Sequence, residues 1–265
     1  MRDRQPPLRP ASPARLYAAY QGGQAAKNAY PKDFEIRNRM KELGLDPQKI
    51  ARENRAFVHR AAQYVTGALK IGQIVDIGVG LPAYPNVHET AQQVLKTAQV
   101  VYVDNDPTVL THAEALLTSE PEGATSYVDE DLRNPQELLQ KASSKLDFDR
   151  PVALFCAAVF HFIGDDENPY RIMRELQDAL APGSAVVLSH MCDDGLNATM
   201  RSVERELAQH GQTARIRSSG QISYFLSGLK LVPPGLVPVS QWNHEIRGES
   251  KPEDVPCLAA LGIKT

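Results

Sequence analysis

The chain has 265 residues, 42% hydrophobic and 23% charged, which is the balance of a folded globular protein and not of a disordered one. A formal net charge of −3 argues against a protein that works by covering phosphates with lysine and arginine, so no nucleic-acid partner is expected. The three cysteines, Cys156, Cys192 and Cys257, are far apart and support neither a disulfide framework nor a Cys-x-x-Cys metal site; with no apolar run long enough to cross a bilayer, a cytoplasmic protein with no metal and no membrane attachment is expected.

In chain order, residues 1–12 are rich in proline and arginine and read as a disordered tail. Residues 13–71 read as a helical N-terminal cap. Asp46 is a natural N-cap before Pro47, and Ile50, Phe57, Val58, Ala61, Ala62 and Val65 recur on one face of a long helix. From 72 to 265 the texture becomes an alternation of strands and helices. "QIVDIG" is a strand, and Asn86 to Lys96 a helix. "AQVVYVDND" is a second strand, with a helix opened by Pro107 and running to about Thr118. "TSYVDEDL" predicts a third strand and "PVALFCAAVFHF" a fully buried fourth, followed by a helix that ends in Gly183. "SAVVLSHM" is a fifth strand, and Leu196 to His210 another helix. "SYFLSGLKLVPPGLVPVSQW" predicts one more helix and two closing strands joined at Pro233–Pro234–Gly235. Apolar runs separated by helices, not hairpins, imply an α/β protein with parallel strands.

"DIGVG" ends the first of these strands, and ligands of open parallel sheets sit beyond the carboxyl ends of the strands. Gly78 and Gly80 alone fit any tight turn, and Ala83 stands where a dinucleotide fingerprint has its third glycine. Asp76 is more telling. A carboxylate repels a pyrophosphate but welcomes an ammonium or a sulfonium. The turn therefore suits a cationic amino-acid nucleoside better than NAD. Asp104, in "VDND", is placed to accept both ribose hydroxyls, while Asp106 reads as the cap of the next helix. Asp131, in "DEDL", is placed to receive the exocyclic amine of adenine; Asn105 and Leu132, beside these acids, complete the expected adenosine site.

The segments "VDIGVGLP", "VVYVDNDPTVL", "LDFDRPVALFCAAVFHFIGDD", "LAPGSAVVLSH" and "GLKLVPPGLVPVSQW", with "PARLYAAYQGG" and "ARENRAFVHRAAQYV" before them, resemble the actinobacterial S-adenosyl methyltransferase family, formerly a domain of unknown function. The resemblance covers nearly the whole chain. It implies a Rossmann-like class I methyltransferase fold, a mostly parallel seven-stranded sheet with a helical N-terminal cap, binding S-adenosyl-L-methionine. The chain departs from the family pattern at Val79 and Ala83, which replace hydroxyl residues of the glycine turn, at Ala18, where an acidic residue is lost, and in the stretch after Gly22–Gly23.

Methyl transfer from a sulfonium needs in-line positioning and a site that discourages water, with a base only where the nucleophile must lose a proton. His161, at the end of the fourth strand, is the first candidate base and His190, at the end of the fifth, the second. Asp165 and Asp166 follow as a helix-opening acidic pair. Gly22 and Gly23 are expected to let the cap close over the cofactor, Tyr17, Tyr20 and Tyr30 to face the substrate, and Arg55 to meet the cofactor's carboxylate. The expected function is methyl transfer to a small molecule. The alternatives are a SAM-binding protein with a regulatory or non-methylating role and, behind it, an NAD-dependent oxidoreductase. The acceptor and the oligomeric state stay open.

Overall fold

The computed structural model describes residues 12–23, 25–116, 119, 121–243 and 255–265. The expected disordered tail therefore lies, up to residue 11, outside the described residues. Three helices come first: α1 (Pro13–Gln21), α2 (Pro31–Glu42) and α3 (Pro47–Gly67). Each opens on a proline at the first turn, where a missing N–H costs nothing. Asp46 caps α3 as expected, its carboxylate accepting the amides of Gln48 and Lys49 at 3.1 Å. The stripe Phe57, Val58, Ala61, Ala62 and Val65 is buried against Ile74, Val100, Phe155 and Val187 of the sheet. At roughly 1.5–3 kcal/mol per buried large apolar side chain, this contact outweighs any helix propensity in α3.

The sheet follows. β1 (Gln73–Ile77), β2 (Gln99–Asp104), β3 (Ala124–Asp129), β4 (Ala153–Ala157) and β5 (Ala185–Met191) pair in parallel in the order β3-β2-β1-β4-β5. Period-two alternation sends Ile74 to the α3 face and Val75 and Ile77 to the other. On that other face they meet Leu138 of α6 (Pro135–Ser143) and Ile172 and Leu176 of α7 (Pro169–Asp178). Between β1 and β2 runs α4 (Val87–Val94), and between β2 and β3 α5 (Pro107–Leu116). Beyond β5 come α8 (Asn197–Gln209), α9 (Ser219–Tyr224), β6 (Leu229–Leu231), β7 (Val237–Pro238) and β8 (Cys257–Lys264). Leu16, Ile36 and Met40 of α1 and α2 pack on Met200, Val203 and Leu207 of α8 in a separate cluster. Among the described residues no helix is long and apolar enough to cross a membrane.

Two expectations need correction. The sheet has eight strands, not seven, because the closing region is built differently. β6 and β7 flank Pro233–Pro234–Gly235 but do not pair with each other; both pair antiparallel with β8, which lies between β5 and β6. β8 reads "CLAALGIK", short of β-branched residues, and forms because Ala259, Ala260 and Leu261 are fully buried between layers. Small size is required there: a Cβ on Gly262 would lie 2.8 Å from Cβ of Leu229. The second correction is that β4 stops at Ala157 and does not run on to Phe162. Ala158 turns left-handed at φ 55°, and Phe160–Phe162 form a 3-10 turn.

β1 has β2 on one side and β4 on the other, so the chain winds away from it in both directions. That reversal opens a crevice past the carboxyl ends of β1 and β4.

Candidate functional site

A cavity of about 330 Å³ occupies this crevice. Its floor is the turn after β1. Gly78 and Gly80 have φ of 71° and 66°, which a side chain would strain. Gly78 has a second constraint, since a Cβ there would sit 2.6 Å from a methyl of Val159 in the loop after β4. Gly80 has no atom within 4 Å of its would-be Cβ, so here a ligand can approach the backbone. The rest of the turn is pinned: the Arg55 guanidinium donates to the carbonyls of Ala83 and Pro85, and Ala83 N–H donates to Asn86 Oδ1 at 3.1 Å. At the two positions where the resemblance implies hydroxyls, Val79 contributes only an apolar wall and Ala83 only its backbone bonds.

The acids come next. Asp104 Oδ2 accepts Gly80 N–H at 3.0 Å and its Oδ1 accepts Asp106 N–H at 2.9 Å, so it ties β2 to the glycine turn. Burial raises its pKa against these amides. Asp76 is 93% buried, with 7% of its surface exposed, and its carboxylate accepts no hydrogen bond among the described residues. Desolvation raises its pKa to about 7; Arg55 opposes the shift and Asp104 reinforces it. Such a buried acceptor is costly unless something meets it. At the end expected from the sequence to hold adenosine, Asp131 Oδ2 accepts from Asn105 Nδ2 at 2.6 Å and Oδ1 from Arg133 N–H at 2.8 Å, while Leu132 forms an apolar wall.

Eight of the twelve expected site residues thus meet around one cavity: Asp76, Gly78, Gly80, Asp104, Asn105, Asp131, Leu132 and Arg55. Four do not. Gly22 and Gly23 form the left-handed turn that ends α1, and the helix reaches the cavity instead through Pro13, Ala14 and Tyr17. His190 is fully buried. Its Nε2 accepts from Arg217 at 3.1 Å, so Nδ1 carries the hydrogen that Met191 O accepts at 2.7 Å. Both nitrogens are occupied, and burial holds the pKa well below its usual value. His161 sits in the 3-10 turn, not at the strand end. Its Nδ1 is sealed with no partner among the described residues, and burial followed by the Arg217 charge lowers its pKa to about 3. Phe162 and Ile163, the next residues, line the cavity; His161 does not.

Arg217 organises this region. Fully buried, it donates to the carbonyls of Phe160 and Ile163 at 3.1 and 2.9 Å and to Asp165 Oδ1 at 2.8 Å. Asp165 also accepts from Arg215 at 2.6 Å, and with Asp166 it opens the short 3-10 helix Asp165–Glu167. Of the three tyrosines, Tyr17 alone lines the cavity. Its hydroxyl accepts from Asn54 Nδ2 at 2.9 Å and donates to Ala51 O at 3.3 Å, and burial pushes its pKa up to about 12. Asn54 Oδ1 in turn accepts from Ser189 Oγ at 2.6 Å, linking α1, α3 and β5. Tyr20 packs in the α1–α2–α8 cluster, and Tyr30 lies under Arg15, 4.7 Å from ring centre to guanidinium carbon. The cavity also has walls that local pattern did not signal: Glu130, Arg133 and the loop Gly211–Thr213.

The profile of the S-adenosyl methyltransferase family matches residues 7–265. A DUF574-family protein of Streptomyces avermitilis MA-4680 is 35% identical, with 97% of this chain and 98% of that one covered and a TM-score of 0.88. A candidate methyltransferase of Thermobifida fusca YX is 32% identical over 97% and 96%, with a TM-score of 0.83. NodS, an N-methyltransferase of Bradyrhizobium japonicum WM9 in complex with S-adenosyl-L-homocysteine, shares the fold at 18% identity, 86% and 98% coverage and a TM-score of 0.50. Comparison with curated proteins finds no match. With the crevice, its glycine turn and its acids in place, these likenesses settle the family: the chain belongs to the S-adenosyl methyltransferases and is a SAM-dependent methyltransferase of the class I fold.

Proposed function

We propose that the enzyme methylates a small molecule that meets the cofactor within this single cavity, and that Asp76 is the residue on which cofactor recognition turns. The observation that carries the reading is a buried carboxylate without a hydrogen-bond partner among the described residues, facing a cavity between a glycine turn and a second acid. Such a group fits a ligand bearing positive charge. Asp104 and Asn105 fit the ribose, Asp131 and Leu132 the adenine, and Arg55 the carboxylate end. S-adenosylmethionine, when bound, supplies a methyl group on a positively charged sulfur that is already a good leaving group.

The protein's own part is then positioning and exclusion of water. Tyr17, Asn54, Phe162 and Ile163 shape the acceptor's side of the cavity, and Tyr17 keeps its proton. Residues 13–71 are read as the helical layer over the site, and three buried free cysteines suit the cytoplasm. Calorimetry with S-adenosylhomocysteine tests the cofactor site: micromolar binding by the wild type is expected, and no heat would refute it. Labelled-methyl transfer into cell extract separates a transferase from a regulatory SAM binder, since only a transferase moves label onto a new molecule.

A further inference from the structure

Beside the cavity runs a second hollow with charge of the opposite sign. It is an open groove along α8, between Arg201, Arg205 and Ala208 and the loop that follows the helix. Gly211, Gln212 and Thr213 line both the groove and the cavity, so the two meet at that loop. Arg201 and Arg205 stand four residues apart on α8, hence on the same face, and both are exposed. Arg201 makes no ion pair among the described residues, and the only hydrogen bond Arg205 makes among them is to a neutral group, its Nη2 donating to Ser202 Oγ at 2.9 Å. Glu204, between them, also lines the groove, but its carboxylate is engaged. Its Oε1 accepts Ile216 N–H at 2.6 Å and lies 3.8 Å from Arg215 Nη1. The groove therefore presents two arginines against one carboxylate, Glu204, which is turned to Ile216 and Arg215. Across the shared loop, the cavity presents five acids, Asp76, Asp104, Asp106, Glu130 and Asp131, against two arginines, Arg55 and Arg133.

We infer that the α8 groove receives the distal end of the methyl acceptor, and that this end carries an anionic group such as a carboxylate or phosphate. The inference rests on the methyltransferase reading of the cavity and adds the substrate class to it. Two ligands share one crevice, and charge sorts them. A cationic cofactor is drawn to the acids beyond β1 and β2, whereas an anionic acceptor is repelled there and held at α8. The same polarity orients the acceptor, anion outward over α8 and nucleophile inward past Gly211–Thr213. Arginine suits the task, because its planar fork matches carboxylate and phosphate oxygens two at a time.

The test uses size-matched probes of charge: benzoate, benzamide and benzylamine, observed by saturation-transfer NMR on the full chain saturated with S-adenosylhomocysteine. Benzoate is expected to bind best, and Arg201→Ala/Arg205→Ala to weaken it about tenfold, the scale of one charge-assisted hydrogen bond. The double variant should keep the wild-type melting temperature and its calorimetric affinity for S-adenosylhomocysteine. Arg201→Lys/Arg205→Lys should retain part of the benzoate signal, since charge survives without the fork. Benzoate that gives no signal, binds no better than benzamide or benzylamine, or binds the alanine variant unchanged overturns the inference. Wild-type protein that fails to bind S-adenosylhomocysteine overturns the cofactor reading instead, a separate result.

Discussion

The ends of β1 and β2 and the ends of β4 and β5 are made alike, a polar residue at or just past an apolar strand, yet they do opposite work. At the first pair one polar group is left wanting. Asp76 has no hydrogen-bond donor among the described residues, and Asp104 gathers two backbone amides at the cavity edge. At the second pair the polar groups are used up. His190 and Arg217 are fully buried, and Arg217 closes on His190, Asp165 and the carbonyls of Phe160 and Ile163. Polar groups that a fold leaves unmatched at a cavity mark its ligand; those it satisfies internally mark its frame. By this contrast His190 belongs to the frame and Asp76 to the candidate site.

Breaking the frame should have the largest effect. Arg217→Ala leaves the Ile163 carbonyl without its donor, Asp165 without a buried partner and a void where a large side chain stood, so a loss of roughly 3–5 kcal/mol is expected. Denaturant unfolding would measure it; a loss below about 1 kcal/mol would mean the cluster is incidental.

Asp76 comes next, through pH. Its folded pKa, about 7, lies above its ordinary value, so the unfolded chain loses this proton first as pH rises. The ligand-free protein should therefore lose stability between about pH 4 and pH 7 and stay level above that. The gap corresponds to roughly 4 kcal/mol if nothing else compensates. Asp76→Asn removes the penalty. Its melting temperature should match the wild type near pH 4 and exceed it near pH 8, while its affinity for S-adenosylmethionine falls. An equal difference at both pH values would remove Asp76 from the list of strained groups.

Asp104→Ala should weaken S-adenosylmethionine binding by roughly 1.5–3 kcal/mol, the range for hydrogen bonds to a charged group. Part of that loss comes through the freed Gly80 and Asp106 amides. Calorimetry on the folded variant decides, and unchanged affinity would place the ribose elsewhere.

The smallest effect is expected at His161. His161→Asn should change turnover per folded molecule by no more than about twofold, against the 10²–10⁴-fold loss of a positioned base. Nor should wild-type turnover titrate near pH 6.5, because this imidazole stays neutral until about pH 3. A hundredfold loss with normal melting would return His161 to the chemistry.

Much of the candidate site's geometry was legible because it is local. Strand, glycine turn and acid follow one another within a few residues, and parallel strands line up their carboxyl ends whatever the loops do. The cap of α3 and its apolar stripe were legible for the same reason, since a helix start and a 3.6-residue period are properties of adjacent residues. His161 misled because an apolar run does not show where a strand ends. Ala158 takes a left-handed conformation, moving the histidine off the strand and sealing its Nδ1. β8 went unread because alanine and glycine carry little strand preference; it forms where two neighbouring strands offer edges and the layers leave no room for larger side chains.

By itself, then, the sequence determined the fold class, the glycine turn and the acids that follow β1, β2 and β3, because each is written in short-range pattern and the parallel topology collects them. Only the tertiary structure decided which polar residues remain in want of a partner. Arg217 lies 27 residues from His190 and 52 from Asp165, and the loop Gly211–Thr213 reaches the cavity from beyond α8. Whether a histidine is a base or a brace depends on what is buried against it, and burial is decided by contacts between residues distant in the chain.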